Sequence, residues 1–189
     1  MKKLLLTLLI PALFSFKPVP LAEVTPPAKG KAVVYFAKTS AGYSLSSLAT
    51  NFNFFDKEQF IGKFSGTGYL RYECEPGEHV FWCRAENSDF MTADLEADKI
   101  YFVLAEVHMA MATARVELRP IDPHNKKDDN RVKSIVKLIE KKEPDVTTAA
   151  EIAQEEKKAE DHKRTLKNYE DGKKGKIEHL TKEMFYEKQ

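Results

Sequence analysis

An antiparallel two-layer β-sandwich of about seven to eight strands, followed by a helical, highly charged C-terminal extension, is the fold this sequence predicts. Three observations predict it. From Lys31 to Pro120, apolar and polar residues alternate with period two in short runs rich in aromatic and β-branched residues. Turn residues part those runs at short intervals, and from Asp128 onward the pattern changes to interspersed charges with apolar residues at helical spacing. The chain divides accordingly into a signal peptide (1–22), a linker (23–30), a sandwich domain (31–121) and a helical extension (128–189).

The first element is "MKK" followed by the apolar run "LLLTLLIPALFSF", Leu4 to Phe16. A basic start leading into a short apolar run is the grammar of a secretory signal. A spanning helix wants about 20 apolar residues, and this run is shorter, contains Pro11 and is followed by Lys17, Pro18 and Pro20. Cleavage is expected after Ala22, leaving a chain with no integral membrane span. No cysteine follows the run, so a lipid-modified N-terminus is not expected.

Eight strands are expected next: "KAVVYFAK" (31–38), "NFNFF" (51–55), "QFIGKF" (59–64), "YLRYEC" (69–74), "HVFWCR" (79–84), "MTADL" (91–95), "KIYFVLAE" (99–106) and "TARVELR" (113–119). Their separators include Asp56-Lys57-Glu58, Ser65-Gly66-Thr67-Gly68, Pro76-Gly77 and Glu96-Ala97-Asp98, all turn chemistry.

The stretch "YECEPGEHVFWC", Tyr72 to Cys83, holds both cysteines, a histidine and the only tryptophan. A hairpin centred on Pro76-Gly77 would pair Cys74 with His79 and Cys83 with Leu70. Its core face would then carry Leu70, Tyr72, Cys74, His79, Phe81 and Cys83, with Arg71, Glu73, Val80, Trp82 and Arg84 on the other. In that register the sulfurs lie about 13 Å apart at strand rise, whereas a disulfide needs Cα atoms within about 7 Å. Unjoined cysteines acting as small apolar fillers are expected. Cys74 opposite His79 has the elements of a thiol-imidazole pair, but a catalytic thiol needs a polar cleft or helix N-terminus and an orienting third group. Neither is legible. Trp82 is expected beside Arg71 as a cation-π pair on the sheet surface. His79, His108, His124, His162 and His179 are dispersed, and there is no C-x-x-C pair. "HMAMA" (108–112) offers soft ligands suited to copper, although methionines near a strand end more often pack. No cofactor or metal is expected.

In the extension, Val132, Ile135, Val136 and Ile139 make one helical stripe for packing on the sandwich, and Pro144 ends that helix. A long, mostly solvated helix is expected from about Thr148 to Asp171, with Gly172 as its terminator. Ile152, Ala159 and Leu166 recur seven apart, but Glu155 and His162 occupy the intervening core places, which a zipper would not tolerate. Only weak self-association through these helices is left open. Ile177, Leu180, Met184 and Phe185 form a last apolar stripe that would dock on the sandwich or on another protein. If the extension is such a docking arm, a chain cut after His124 should still fold.

Charge narrows the partners. The chain carries 30 Lys/Arg against 29 Asp/Glu, a net charge of +1, and the extension holds 15 of each. A balanced run offers no single-sign field to nucleic acid or an anionic membrane.

The succession "KAVVYFAK", "FIGKFSGTGYLRYECEPGEHVFW", "LEADKIYFVLAEV" and "ARVELRPID" resembles a bacterial family of exported domains of unknown function, small sandwiches with a G-x-Y segment, a P-G-x-H hairpin and a later Y-F or Y-Y strand. Those positions are Gly68, Tyr69, Pro76, Gly77, His79, Tyr101 and Phe102. The hairpin is also similar to that of surface-associated PEGA-type domains. The resemblance covers roughly the middle half of the chain and implies a sandwich fold and an extracytoplasmic, periplasmic location. It implies no activity. Many members are lipoproteins, and this chain lacks their acceptor cysteine.

The expected function is therefore a non-catalytic binding or structural module of the bacterial cell envelope, engaging another envelope protein. Its interaction positions would be Tyr69, Arg71, Pro76, Gly77, His79, Trp82, Tyr101, Ile177, Leu180 and Phe185. A carbohydrate-binding sandwich would want exposed aromatic platforms or calcium loops. An extracytoplasmic hydrolase would want a nucleophile elbow, paired loop carboxylates or a glycine-rich phosphate cradle, none of which the sequence carries.

Overall fold

The computed structural model describes residues 23–39, 51–110, 113–172 and 177–188, without the side chains at 109, 110, 113 and 114. The signal segment and Met111 of "HMAMA" lie outside the described residues, as does the side chain of Met109.

All eight expected runs are strands: β1 (Ala32–Lys38), β2 (Asn51–Asp56), β3 (Gln59–Ser65), β4 (Gly68–Cys74), β5 (Gly77–Arg84), β6 (Ser88–Leu95), β7 (Ile100–Ala110) and β8 (Thr113–Ile121). The extension adds α1 (Asp129–Lys141), α2 (Ala149–Glu156), α3 (Ala159–Glu170), β9 (Glu178–Leu180) and β10 (Phe185–Tyr186). No described helix is long and apolar enough to cross a membrane.

The strands form two five-stranded sheets. Sheet A runs β4-β1-β7, with β10 beside residues 100–101 of β7 and β8 paired to β7 from Phe102 onward. Sheet B runs β3-β2-β5-β6-β9. Pairing is antiparallel except between β1 and β7 and between β6 and β9, which are parallel, so the sandwich is mixed rather than wholly antiparallel. The parallel pairs join strands distant in sequence, which alternation within a single strand does not encode.

The inner faces of both sheets interdigitate through Val34, Phe36, Phe54, Phe81, Met91 and Val103. Alternate residues of sheet A, among them Val33, Tyr35 and Phe102, face outward and lie beneath Ile135 and Ile139 of α1. On the outer face of sheet B, Phe55, Trp82 and Phe90 pack against Leu166 and Tyr169 of α3. The molecule is thus four layers: α1, sheet A, sheet B and the α2–α3 pair. β1 is central to one of them and has all seven residues buried.

Three expectations are corrected. β4 and β5 are not a hairpin: β4 pairs with β1 in sheet A and β5 with β2 and β6 in sheet B. Pro76-Gly77 is a crossover between layers, with Gly77 at φ +119°, backbone that only glycine adopts without strain. The facing set survives the change, because Leu70, Cys74, Phe81 and Cys83 all enter the shared core. Second, the helix expected over 148–171 breaks at Lys157 and Lys158, where the Lys158 N–H turns back to the Glu155 carbonyl at 2.9 Å. That bend lets α3 lie against sheet B instead of running on into solvent. Third, the last apolar stripe is strand, not helix. Leu180 is fully buried as β9 extends sheet B, and Phe185 packs against the core as β10 joins β7. Tertiary pairing here overrides a helical reading of short segments.

Between α1 and α2 the chain straps the side of the sandwich. The Asp145 N–H donates to the Tyr69 carbonyl at 2.8 Å, the Tyr69 N–H to the Asp145 carboxylate at 3.2 Å, and the Lys63 N–H to the Thr147 hydroxyl at 3.2 Å. Gly68 makes this approach possible, since a Cβ there would run into the Asp145 carboxylate. The strap covers β3 and β4, both edge strands.

Candidate functional site

The crossover from β4 to β5 places Tyr72 and Cys74 of sheet A against His79 of sheet B, where β2 ends at Asp56. His79 Nδ1 lies 2.6 Å from Asp56 Oδ2, and His79 Nε2 lies 2.9 Å from the Glu75 carbonyl. The Tyr72 hydroxyl donates to the same Asp56 oxygen at 3.1 Å. The imidazole stacks on Phe81 with ring centroids 5.2 Å apart. His79 and Asp56 side chains are only 12% and 10% exposed. Asp56 Oδ1 is buried with no hydrogen-bond partner among the described residues. The cluster therefore joins the two sheets at one end of the sandwich through a single buried carboxylate.

Its electrostatics define what it can do. Burial pulls the His79 imidazole down, but hydrogen bonds to Asp56 and Cys74, the Asp56 charge and the Glu75 carbonyl outweigh it and push it up to about 10. His79 is a cation at neutral pH, with both ring nitrogens engaged. Burial, followed by the Asp56 charge, raises the Tyr72 hydroxyl as well. A base must hold a free lone pair within reach of the proton it takes, and this imidazole has none to offer Cys74. The arrangement suits a lock between sheets.

Both cysteines are free and buried. Burial, then the Asp89 charge, pushes the Cys83 thiol well above its usual range. Inert thiols follow. A thiol reagent is expected to label neither cysteine in the folded protein and both in denaturant, read by intact mass; labelling of Cys74 under native conditions would mark an open crossover.

The other sequence-predicted positions are scattered. Tyr69 is buried on the outer face of sheet A, 6.0 Å from the Tyr35 ring, beneath the 142–148 strap. Arg71 fastens the segment before β1, donating to the Thr25 hydroxyl at 3.0 Å, to the Pro26 carbonyl at 2.9 Å and to Glu73 at 3.1 Å. Trp82 is not beside Arg71. It belongs to the other sheet, is fully buried, and has Arg84 over its ring at 5.5 Å. The hairpin register had put Trp82 and Arg71 on one ribbon, and the crossover separates them. Pro76 is exposed, with Gly77 beside it at the crossover. The Tyr101 hydroxyl accepts from the Glu96 N–H at 2.9 Å and donates to the Lys182 carbonyl at 3.2 Å, tying the C-terminal segment to the turn before β7. Ile177 is exposed, Leu180 is core, and the Phe185 ring carries the Lys99 ammonium at 3.7 Å.

The sequence reading missed Asp56, which has no motif spacing to residues 16 and 23 positions later. Where a mostly solvated helix was expected, Glu155 and His162 are buried, while Ile152 is 40% exposed.

Two concavities flank α1. One, of about 780 Å³, lies between α1 and the C-terminal strand and is lined by Val132, Lys133, Val136, Lys137, Lys141 and Tyr186 among others. The second, of about 490 Å³, lies between α1 and β7 and includes Lys38, Glu106, His108 and Arg131. His108 Nε2, on an exposed side chain, is 3.1 Å from Glu117 and 3.8 Å from Glu106. No group of three or more His, Cys, Asp or Glu among the described residues is arranged to hold a metal ion.

No family model, curated protein or solved structure matches this chain.

Proposed function

We propose that the protein is a non-catalytic binding module of the bacterial cell envelope, exported and engaging another envelope protein. The observation that carries the non-catalytic half is His79. The one imidazole beside a thiol has both nitrogens bonded to the protein and sits near pKa 10, so it is a fixed cation rather than a base. The basic-then-apolar start and the resemblance to exported sandwich domains support the location. A carbohydrate platform loses its main support, because Trp82, the aromatic residue best suited to one, is covered by α3.

The test is a full-chain fusion to a reporter active only outside the cytoplasm, combined with chemical crosslinking in the cell. Reporter activity and one discrete crosslinked species are expected. A silent reporter would remove the location, and a chain recovered only as uncrosslinked monomer would remove the binding role.

A further inference from the structure

Val146 is held out into solvent by its neighbours. In the strap between α1 and α2, the Asp145 N–H is bonded to the Tyr69 carbonyl of β4 and the Thr147 hydroxyl to the Lys63 N–H of β3. With the residues on either side turned to the edge strands, Val146 points away from both. It is 82% exposed, and Ile152 of α2, 40% exposed, follows it. An apolar side chain so exposed adds little to the fold, yet the strap fixes its position before anything binds, which lowers the ordering cost of an interface. Glu143, exposed at the start of the strap, is in no ion pair among the described residues.

The concavity of about 780 Å³ on the far side of α1 has the complementary make-up. Val132 and Val136 of α1 and Tyr186 of β10, all half-buried, are its apolar wall. Lys133, Lys137 and Lys141, all exposed, follow one another at four-residue steps along the helix rim, about 6 Å apart. None of these lysines is in an ion pair among the described residues, whereas α3 pairs Lys163 with Glu160 at 3.3 Å and Arg164 with Asp161 at 2.7 Å. Asp129, Glu140 and Glu187 also line the groove, so its carboxylates match its ammonium groups in number. It therefore presents no net field to a membrane or a polyanion. It selects by local fit: an apolar side chain for the wall, with a carboxylate close by for the lysine row.

We propose that Val146 of one copy seats in the α1–β10 groove of the next, so that the protein assembles head to tail with copies of itself. Val146 lies against Val132, Val136 and Tyr186. Glu143, at most about 10 Å away along the strap, reaches the lysine row about two helical turns further on. Knob and groove belong to opposite edges of sheet A, the strap at β4 and the groove beside β10, with β1 and β7 between them. A copy engaged through its knob thus keeps its own groove open. Such a contact is heterologous, and it propagates instead of closing as a two-fold dimer. This goes beyond the binding-module reading and does not rest on it.

Sedimentation velocity on the purified protein, over a range of concentrations, reads the assembly. A ladder of dimer, trimer and longer species that grows with concentration is expected. Val146→Asp removes the knob, and Lys137→Glu/Lys141→Glu reverses the rim; the replaced side chains are all exposed, so each variant should melt like the wild type. Each alone should need at least about tenfold more protein to associate. Mixed one to one, they should form a dimer and nothing longer, because one supplies the only intact groove and the other the only intact knob. Wild-type protein that stays monomeric or stops at a dimer would overturn the proposal. So would association that Val146→Asp leaves unchanged, or a mixture that stays monomeric or grows past the dimer. If Val146→Asp melts early, Val146→Thr, of nearly the same shape, takes its place with the same outcomes. Assembly of pure protein requires neither export nor an envelope partner, so a silent reporter fusion with an intact ladder would cost the location and leave this interface. Crosslinks at multiples of the chain's own mass belong to this contact and not to a partner.

Discussion

A chain cut after His124 is expected not to fold. It would lack Ile135 and Ile139, both fully buried against the outer face of sheet A, and Leu180, fully buried in the shared core. Removing each such side chain down to nothing costs at least the 2 to 5 kcal/mol of a large-to-small core change, or roughly 6 kcal/mol and more for the three. A domain of this size is stable by about 5 to 15 kcal/mol. The cut also strips two strands from the sheets, uncovers Val33, Tyr35 and Phe102, and removes the 142–148 strap from the edges of β3 and β4. Circular dichroism and a denaturant titration on the truncated chain check this directly. A cooperative transition in the cut chain would restore the view of residues 128–189 as a separable arm.

The burial of Ile135, Ile139 and Leu180 in the core marks where the sequence stops being legible. The eight strands of residues 32–121 were readable because period-two alternation is a property of each strand alone, and α1 because Val132, Ile135, Val136 and Ile139 share a face within one helix. Which strands lie side by side is not local. Turn chemistry at Pro76-Gly77 is compatible with a hairpin and with a crossover between sheets, and only the choice of β1 as partner for β4 decides it. The burial of Glu155 and His162 is hidden for a related reason: a charged residue on a helix reads as solvent-facing unless its partners are known, and Glu155 is paired with both His162 and Lys158. The candidate site combines both difficulties. Cys74 and His79 are in view because they lie five residues apart, while Asp56, which holds His79 and Tyr72 together, belongs to a strand further back in the chain.

Replacing Asp56 is therefore expected to be the most damaging single polar change in the molecule. In Asp56→Ala the buried His79 loses its counter-charge and Tyr72 loses its acceptor, and breaking one side of a buried ion pair costs about 3 to 5 kcal/mol. The pH dependence separates this lock from ordinary packing. In the folded protein His79 sits at about 10, against roughly 6.5 in an unfolded chain, so its contribution is fully present below pH 6.5 and is lost as the pH rises through 10. The wild-type melting temperature should fall across that window. In Asp56→Ala the carboxylate's hydrogen bond and charge are lost while burial and the bonds to Cys74 and the Glu75 carbonyl remain, so the fall with rising pH should flatten. His79→Gln should remove the contribution of this group altogether. Thermal melts of the three proteins between pH 5 and pH 10 distinguish the cases, and parallel curves would mean that the His79–Asp56 contact carries no net charge pairing and that the two sheets are joined there by shape alone.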